Sequence, residues 1–220
     1  MKGLAIGLSR TGMRVLDSVT RLLTRHLRAI STATGGRSSP TRASSVLGLS
    51  SFLTLAVPII ALVAAVSSGS ILFLDYVHVI TGGTWTGIDL FMGLVMSRVM
   101  RGLAPQTRAQ IINKLVPIML FFMPSLASVA VTAGVYLAAW LRLDFFSTPM
   151  IAAGIIVIIL LIQGLGLILP TEVRIFLELR KESPNIDKIV KLGMRNIYIS
   201  GSQTIFQIAL IFVMAYLAVI

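Results

Sequence analysis

Five long, mostly apolar stretches occupy this chain from residue 46 to its end, and four of them contain no charged residue. A helix rising about 1.5 Å per residue needs about 20 apolar residues to cross the hydrocarbon core of a bilayer. The stretches therefore predict an all-α integral membrane bundle with spans over 46–68, 71–96, 116–141, 150–169 and 197–220. Composition agrees: 12% of residues are charged, against about 25% in a soluble domain. Soluble folds are excluded. Pro117 and Pro124 fall inside the third span, and Pro149 and Pro170 bracket the fourth.

Orientation follows from where the cations lie, because short cytoplasmic segments retain Lys and Arg. The arm before the first span holds Lys2, Arg10, Arg14, Arg21, Arg25, Arg28, Arg37 and Arg42. The connection after the second span adds Arg98, Arg101, Arg108 and Lys114, and that after the fourth adds Arg174, Arg180, Lys181, Lys188, Lys191 and Arg195. With five spans these eighteen share one side, and Arg142 stands alone on the other. The expected topology is N-in, C-out. The net charge of +11 is then assigned to topology and anionic lipid headgroups rather than to nucleic acid.

Residues 1–45 form a basic arm. Leu16, Val19, Leu23, Leu27 and Ile30 recur at helical spacing among Arg14, Arg21, Arg25 and Arg28, the pattern of an amphipathic helix lying in the headgroup layer. A Ser-, Thr- and Gly-rich linker follows from Ser31. The expected location is the cell membrane, or an organelle inner membrane if this Arg-rich, acid-poor arm is a transit peptide. The mixed-charge segment Thr171–Asn196 is expected to extend the fourth helix into the cytoplasm. The chain has no cysteine, so thiolate metal sites and cysteine nucleophiles are excluded.

The second span is unlike the others, with Asp75, His78 and Asp89 inside it. At about 100° per residue, Trp85, Asp89, Met92 and Met96 fall within about 40° of His78, and Asp75 within about 60°. One polar stripe is predicted. Gly83 and Gly87 lie on another side at a spacing that admits a second helix, which predicts protein around both faces. Asp75 should sit at the outer boundary, with Asp89 about 21 Å deeper. No Lys or Arg lies within a span to neutralise Asp89, so Gln163, Gln203 and Gln207 are its candidate partners. His78 is a candidate ligand for haem iron or copper, and Met92 and Met96 are candidate thioether ligands for copper. The plainer readings are a hydrogen-bonded histidine and packing methionines.

The run Leu74-Asp75-Tyr76-Val77-His78-Val79-Ile80-Thr81-Gly82-Gly83-Thr84-Trp85-Thr86-Gly87 resembles the His-x₆-Trp-x-Gly helix of CopD-like copper-resistance membrane proteins and their HemJ-type oxidase relatives. Arg98 and the Leu-Val-Pro at Leu115 are also similar to that group. The resemblance implies haem b or copper at His78, with Trp85 packing the ring, Arg98 near the propionates, and a redox or metal-handling role. Two alternatives compete with it. One is an accessory subunit or scaffold of a membrane complex or homo-oligomer; the other is an ion or proton transporter using the stripe from Asp75 to Met96.

Overall fold

The computed structural model describes residues 49–219. The basic arm and its amphipathic helix lie outside the described residues. Five helices follow in order: α1 (Leu49–Ser68), α2 (Ile71–Arg101), α3 (Pro105–Trp140), α4 (Thr148–Leu179) and α5 (Ile186–Val219). No strand occurs among the described residues. Four helices, α2 to α5, are long and apolar enough to cross a membrane, whereas the apolar part of α1, Leu53–Ser68, is shorter. The protein is a multi-pass, membrane-embedded helical bundle.

The helices overrun the apolar stretches. α3 begins at Pro105 and α5 at Ile186, while α4 continues to Leu179. Hydropathy marks what lipid covers, but a helix continues into water wherever its backbone bonds persist. Local chemistry sets the ends. Ser70 caps α2 by accepting from the Phe73 amide at 3.2 Å, and Pro105 and Pro149 occupy first-turn positions of α3 and α4, where a missing N–H costs nothing. α3 stops at Arg142, whose positive φ of 55° lets Leu143 N–H reach the Ala138 carbonyl at 2.9 Å, closing a Schellman turn.

Two helices contain π-helical segments, Phe91–Met96 in α2 and Ile162–Ile168 in α4. The second runs into Pro170, which supplies no N–H and crowds the carbonyl four residues earlier; a wider turn relieves that clash. α5 packs along both segments. Where α2 meets α5 the backbones touch: a Cβ added at Gly93 would collide with the Gly201 backbone.

The buried core has three parts. Leu74, Val77, Val129 and Ala133 join α1, α2 and α3 at one end. Trp85, Leu126, Ala130 and Leu160 fill the middle. Met100, Ile112, Ile175 and Ile189 close the other end. Large apolar side chains such as Leu72, Ile60 and Phe212 are left exposed, as lipid-facing residues are in a membrane bundle.

The expectation that α2 is enclosed on both faces is corrected here. Gly83 and Gly87 are exposed, and a Cβ at either would meet no atom among the described residues. The close backbone approach on α2 lies further on, at Gly93, against Gly201 of α5.

Candidate functional site

Two cavities flank the middle of α2. The first, about 80 Å³, is lined by Trp85, Asp89 and Met92 of α2, Met119 and Met123 of α3, Glu172 of α4, and Asn196, Ser200 and Gln203 of α5. The second, about 260 Å³, is lined by His78, Trp85 and Thr86, by Ala130 and Gly134, by Met150, and by Gln207 and Met214. Trp85 and Leu160 belong to both walls. They separate an acidic cavity from a histidine cavity.

Asp89 is fully buried. Gln207 Nε2 donates to its Oδ2 at 2.9 Å, and the Trp85 indole and Ser200 hydroxyl lie beside the same carboxylate. Of the three amides expected as partners, Gln207 takes the role. Gln203 instead donates to the Leu160 carbonyl at 3.0 Å, and Gln163 to the Ser202 hydroxyl at 3.4 Å. Asn196 donates to the Ile168 carbonyl at 3.2 Å. Leu160 precedes the π segment of α4 and Ile168 ends it, and the α5 amides satisfy carbonyls there, where the regular ladder is interrupted.

The second acid was missed from sequence. Glu172 lies within the mixed-charge segment assigned to the cytoplasmic side, yet it is buried and lines the acidic cavity with Asp89. No Lys, Arg or His is among the residues lining that cavity. Its neighbours Arg174, Arg180 and Lys181 gave no signal that this acid is buried. Glu178, one and a half turns on, is also buried but is paired by Lys188 and Lys181 at 2.7 and 2.9 Å.

His78 is half-buried. Its Nδ1 lies 2.8 Å from the Ala130 carbonyl, which can only accept, so Nδ1 carries a proton and Nε2 is the nitrogen left without a partner in that bond. The ring rests on Gly134, where a Cβ would stand 2.8 Å from Cε1.

The single stripe predicted for α2 divides. Asp75 is exposed, whereas Trp85 and Asp89 are buried. Met92 lines the acidic cavity, Met96 packs against the core around Met100, and Arg98 is exposed. On one continuous helix, Met92, Met96 and Arg98 stand about 21, 27 and 30 Å of rise from His78. The expected copper set of His78, Met92 and Met96 therefore does not fit around one ion, and Arg98 does not reach propionates of a haem held by His78. The thioethers that share the histidine cavity are Met150 and Met214. Among the described residues no group of three or more His, Asp or Glu is arranged for a metal ion. For haem, the His78 imidazole fits the ligand role, but no Lys or Arg lines its cavity to receive propionates.

Compared with models of known protein families, with curated proteins and with solved structures, the chain has no match. The CopD-like resemblance rests on the Leu74–Gly87 motif.

Proposed function

We propose that this protein conducts protons or small monovalent cations across its membrane, with Asp89 and Glu172 as the exchange groups. One observation carries the reading: two buried carboxyl groups line one cavity that no basic side chain lines. Ionisable groups inside a membrane bundle are costly unless paired, and those retained there mark ion and proton paths. Each carboxyl is relieved of its charge by a proton or by a cation beside it, and each gives that cation up again. The Trp85–Leu160 partition and the Gln207–Asp89 bond would separate entry through the histidine cavity from exit past Glu172. The working topology is five spans in the cell membrane, N-in and C-out, in line with the charge asymmetry.

Full-length protein reconstituted into vesicles with an internal pH dye is expected to acidify them under an inside-negative potential. Asp89→Asn and Glu172→Gln should each reduce the rate at least tenfold. Flux retained by both variants overturns the reading.

A second reading is favoured by the Nδ1–Ala130 bond, an arrangement typical of ligating histidines. In it the protein is CopD-like and His78 binds haem b or copper through Nε2 for a redox or metal-handling role. Protein purified from its own membrane would then show a visible absorption band that His78→Ala removes; a colourless, metal-free preparation would count against it.

A further inference from the structure

The histidine cavity is a gap between helix pairs. α4 packs along α5 over Thr148–Leu161, and near the end of that stretch Leu160 meets Trp85 and Ala130 in the core. Beyond this floor the space runs between α2 and α3 on one side and α4 and α5 on the other, out to Phe145, Met150 and Met214. No Lys, Arg, Asp or Glu lines it. Its polar side chains have already committed their protons. The Thr86 hydroxyl donates to the Gly82 carbonyl at 2.9 Å, Gln207 Nε2 to Asp89 at 2.9 Å, and the Trp85 indole to the same carboxylate. His78 Nδ1 is engaged by the Ala130 carbonyl. The nitrogen left without a bond is His78 Nε2. It has no partner among the described residues, yet it is not one of the side-chain atoms sealed from open space without a partner, as the Gln207 oxygen is. With no carboxylate on that wall to pair an imidazolium, the neutral ring is the form that fits, and its Nε2 accepts.

We infer that this cavity binds a small neutral phenol, its ring among the apolar side chains and its hydroxyl donating to His78 Nε2. The site lies across the Trp85–Leu160 partition from the two carboxyls and does not depend on the exchange reading. A purely apolar occupant leaves Nε2 unpaired in a space of low dielectric. A water molecule needs two to four polar partners, and this wall offers it one free nitrogen. A single donor on an apolar body answers the nitrogen and fills the space. An apolar cavity of about 150 Å³ takes benzene, so the 260 Å³ here takes a ring with a short alkyl tail, roughly ten heavy atoms. Trp85 and Phe145 bring aromatic surfaces to the site, and Met150 and Met214 bring thioethers, which favour aromatic contact. A phenolic hydroxyl is more acidic than an alkyl one, which strengthens its bond to a neutral imidazole.

The test titrates the full-length protein in micelles with para-propylphenol, following heat and the nitrogen NMR signal of His78 Nε2, identified by its loss in His78→Phe. Saturable binding that moves this signal is expected. Para-propylanisole, in which a methyl group replaces the hydroxyl proton, should bind at least tenfold more weakly, and His78→Phe should erase that difference. Gly154 lines the cavity, and a Cβ there meets no atom, so Gly154→Leu should fill the space and abolish binding of both compounds. Equal affinity of the wild-type protein for phenol and ether overturns the hydroxyl bond. Phenol binding that survives Gly154→Leu places the ligand elsewhere and overturns the site. No saturable binding, or haem or a metal ion found on Nε2 in protein purified from its own membrane, overturns the proposal outright.

Discussion

Gln207 of α5 donates a 2.9 Å hydrogen bond to Asp89 of α2, joining two residues 118 positions apart across the buried middle of the bundle. Removing one partner strands the other, whereas removing both leaves nothing to satisfy. Gln207→Leu is therefore expected to lower stability by about 1–3 kcal/mol. The Asp89→Leu, Gln207→Leu double variant should lose less than the two single losses combined. Unfolding in mixed micelles, read as a double-mutant cycle, checks this; strict additivity would show that the bond contributes no coupling.

The glycines of α2 and α5 divide into two kinds. Gly93 and Gly201 hold the backbones in contact, so Gly93→Ala should force the helices apart and cost about 1–3 kcal/mol. Gly83→Ala and Gly87→Ala enter open space and should be neutral or stabilising by up to about 1 kcal/mol, since alanine favours helix. Thermal melts of the three variants rank them, and an equal loss at Gly83 would reveal a neighbour on that face.

Gly134→Ala places a methyl group where the His78 ring now rests. The ring must shift, and the bond from Nδ1 to the Ala130 carbonyl should lengthen or break. Nitrogen NMR of labelled protein distinguishes the tautomers: wild type should show a single Nδ1-protonated form of His78, and the variant a mixture. A mixture already present in wild type would remove the basis for a free Nε2.

Glu178 holds the α4–α5 turn by accepting from Lys181, Lys188 and the Asn185 amide. Glu178→Ala should release that turn, and trypsin should cut after Arg180 or Lys181 severalfold faster. Lys181→Ala, which removes one largely exposed partner, should change the rate little by comparison. Limited proteolysis of the micellar protein measures both.

Much of this arrangement was legible in the residues. Asp89 stood out because a carboxylate in an apolar run must find a donor, and in-span amides were few enough that Gln207 was among the candidates. Glu172 was hidden by its neighbours: Arg174, Arg180 and Lys181 make the segment read as solvated, and only folding reveals that this acid is buried without a cation beside it in the cavity. The copper set failed for a different reason. Angular agreement on a helical wheel says nothing of distance along the axis, and residues 14 to 18 positions apart on one helix share a face without sharing a ligand. Gly83 and Gly87 matched a spacing, but contact also needs a partner of matching shape, which no single helix discloses.

The π segments carry a consequence for variation by insertion and deletion. A π turn is an α-helix with one residue too many, absorbed by winding wider, so excising one residue from Phe91–Met96 would restore uniform winding and leave everything beyond it facing nearly as it does now. Ser97 and Met100, now buried, would stay turned inward, whereas the same excision from a regular α-helical stretch would swing them by about 100°. Each of these helices thus carries a one-residue allowance, and a single codon lost from either segment is the deletion its two ends can accept without turning relative to the rest of the bundle.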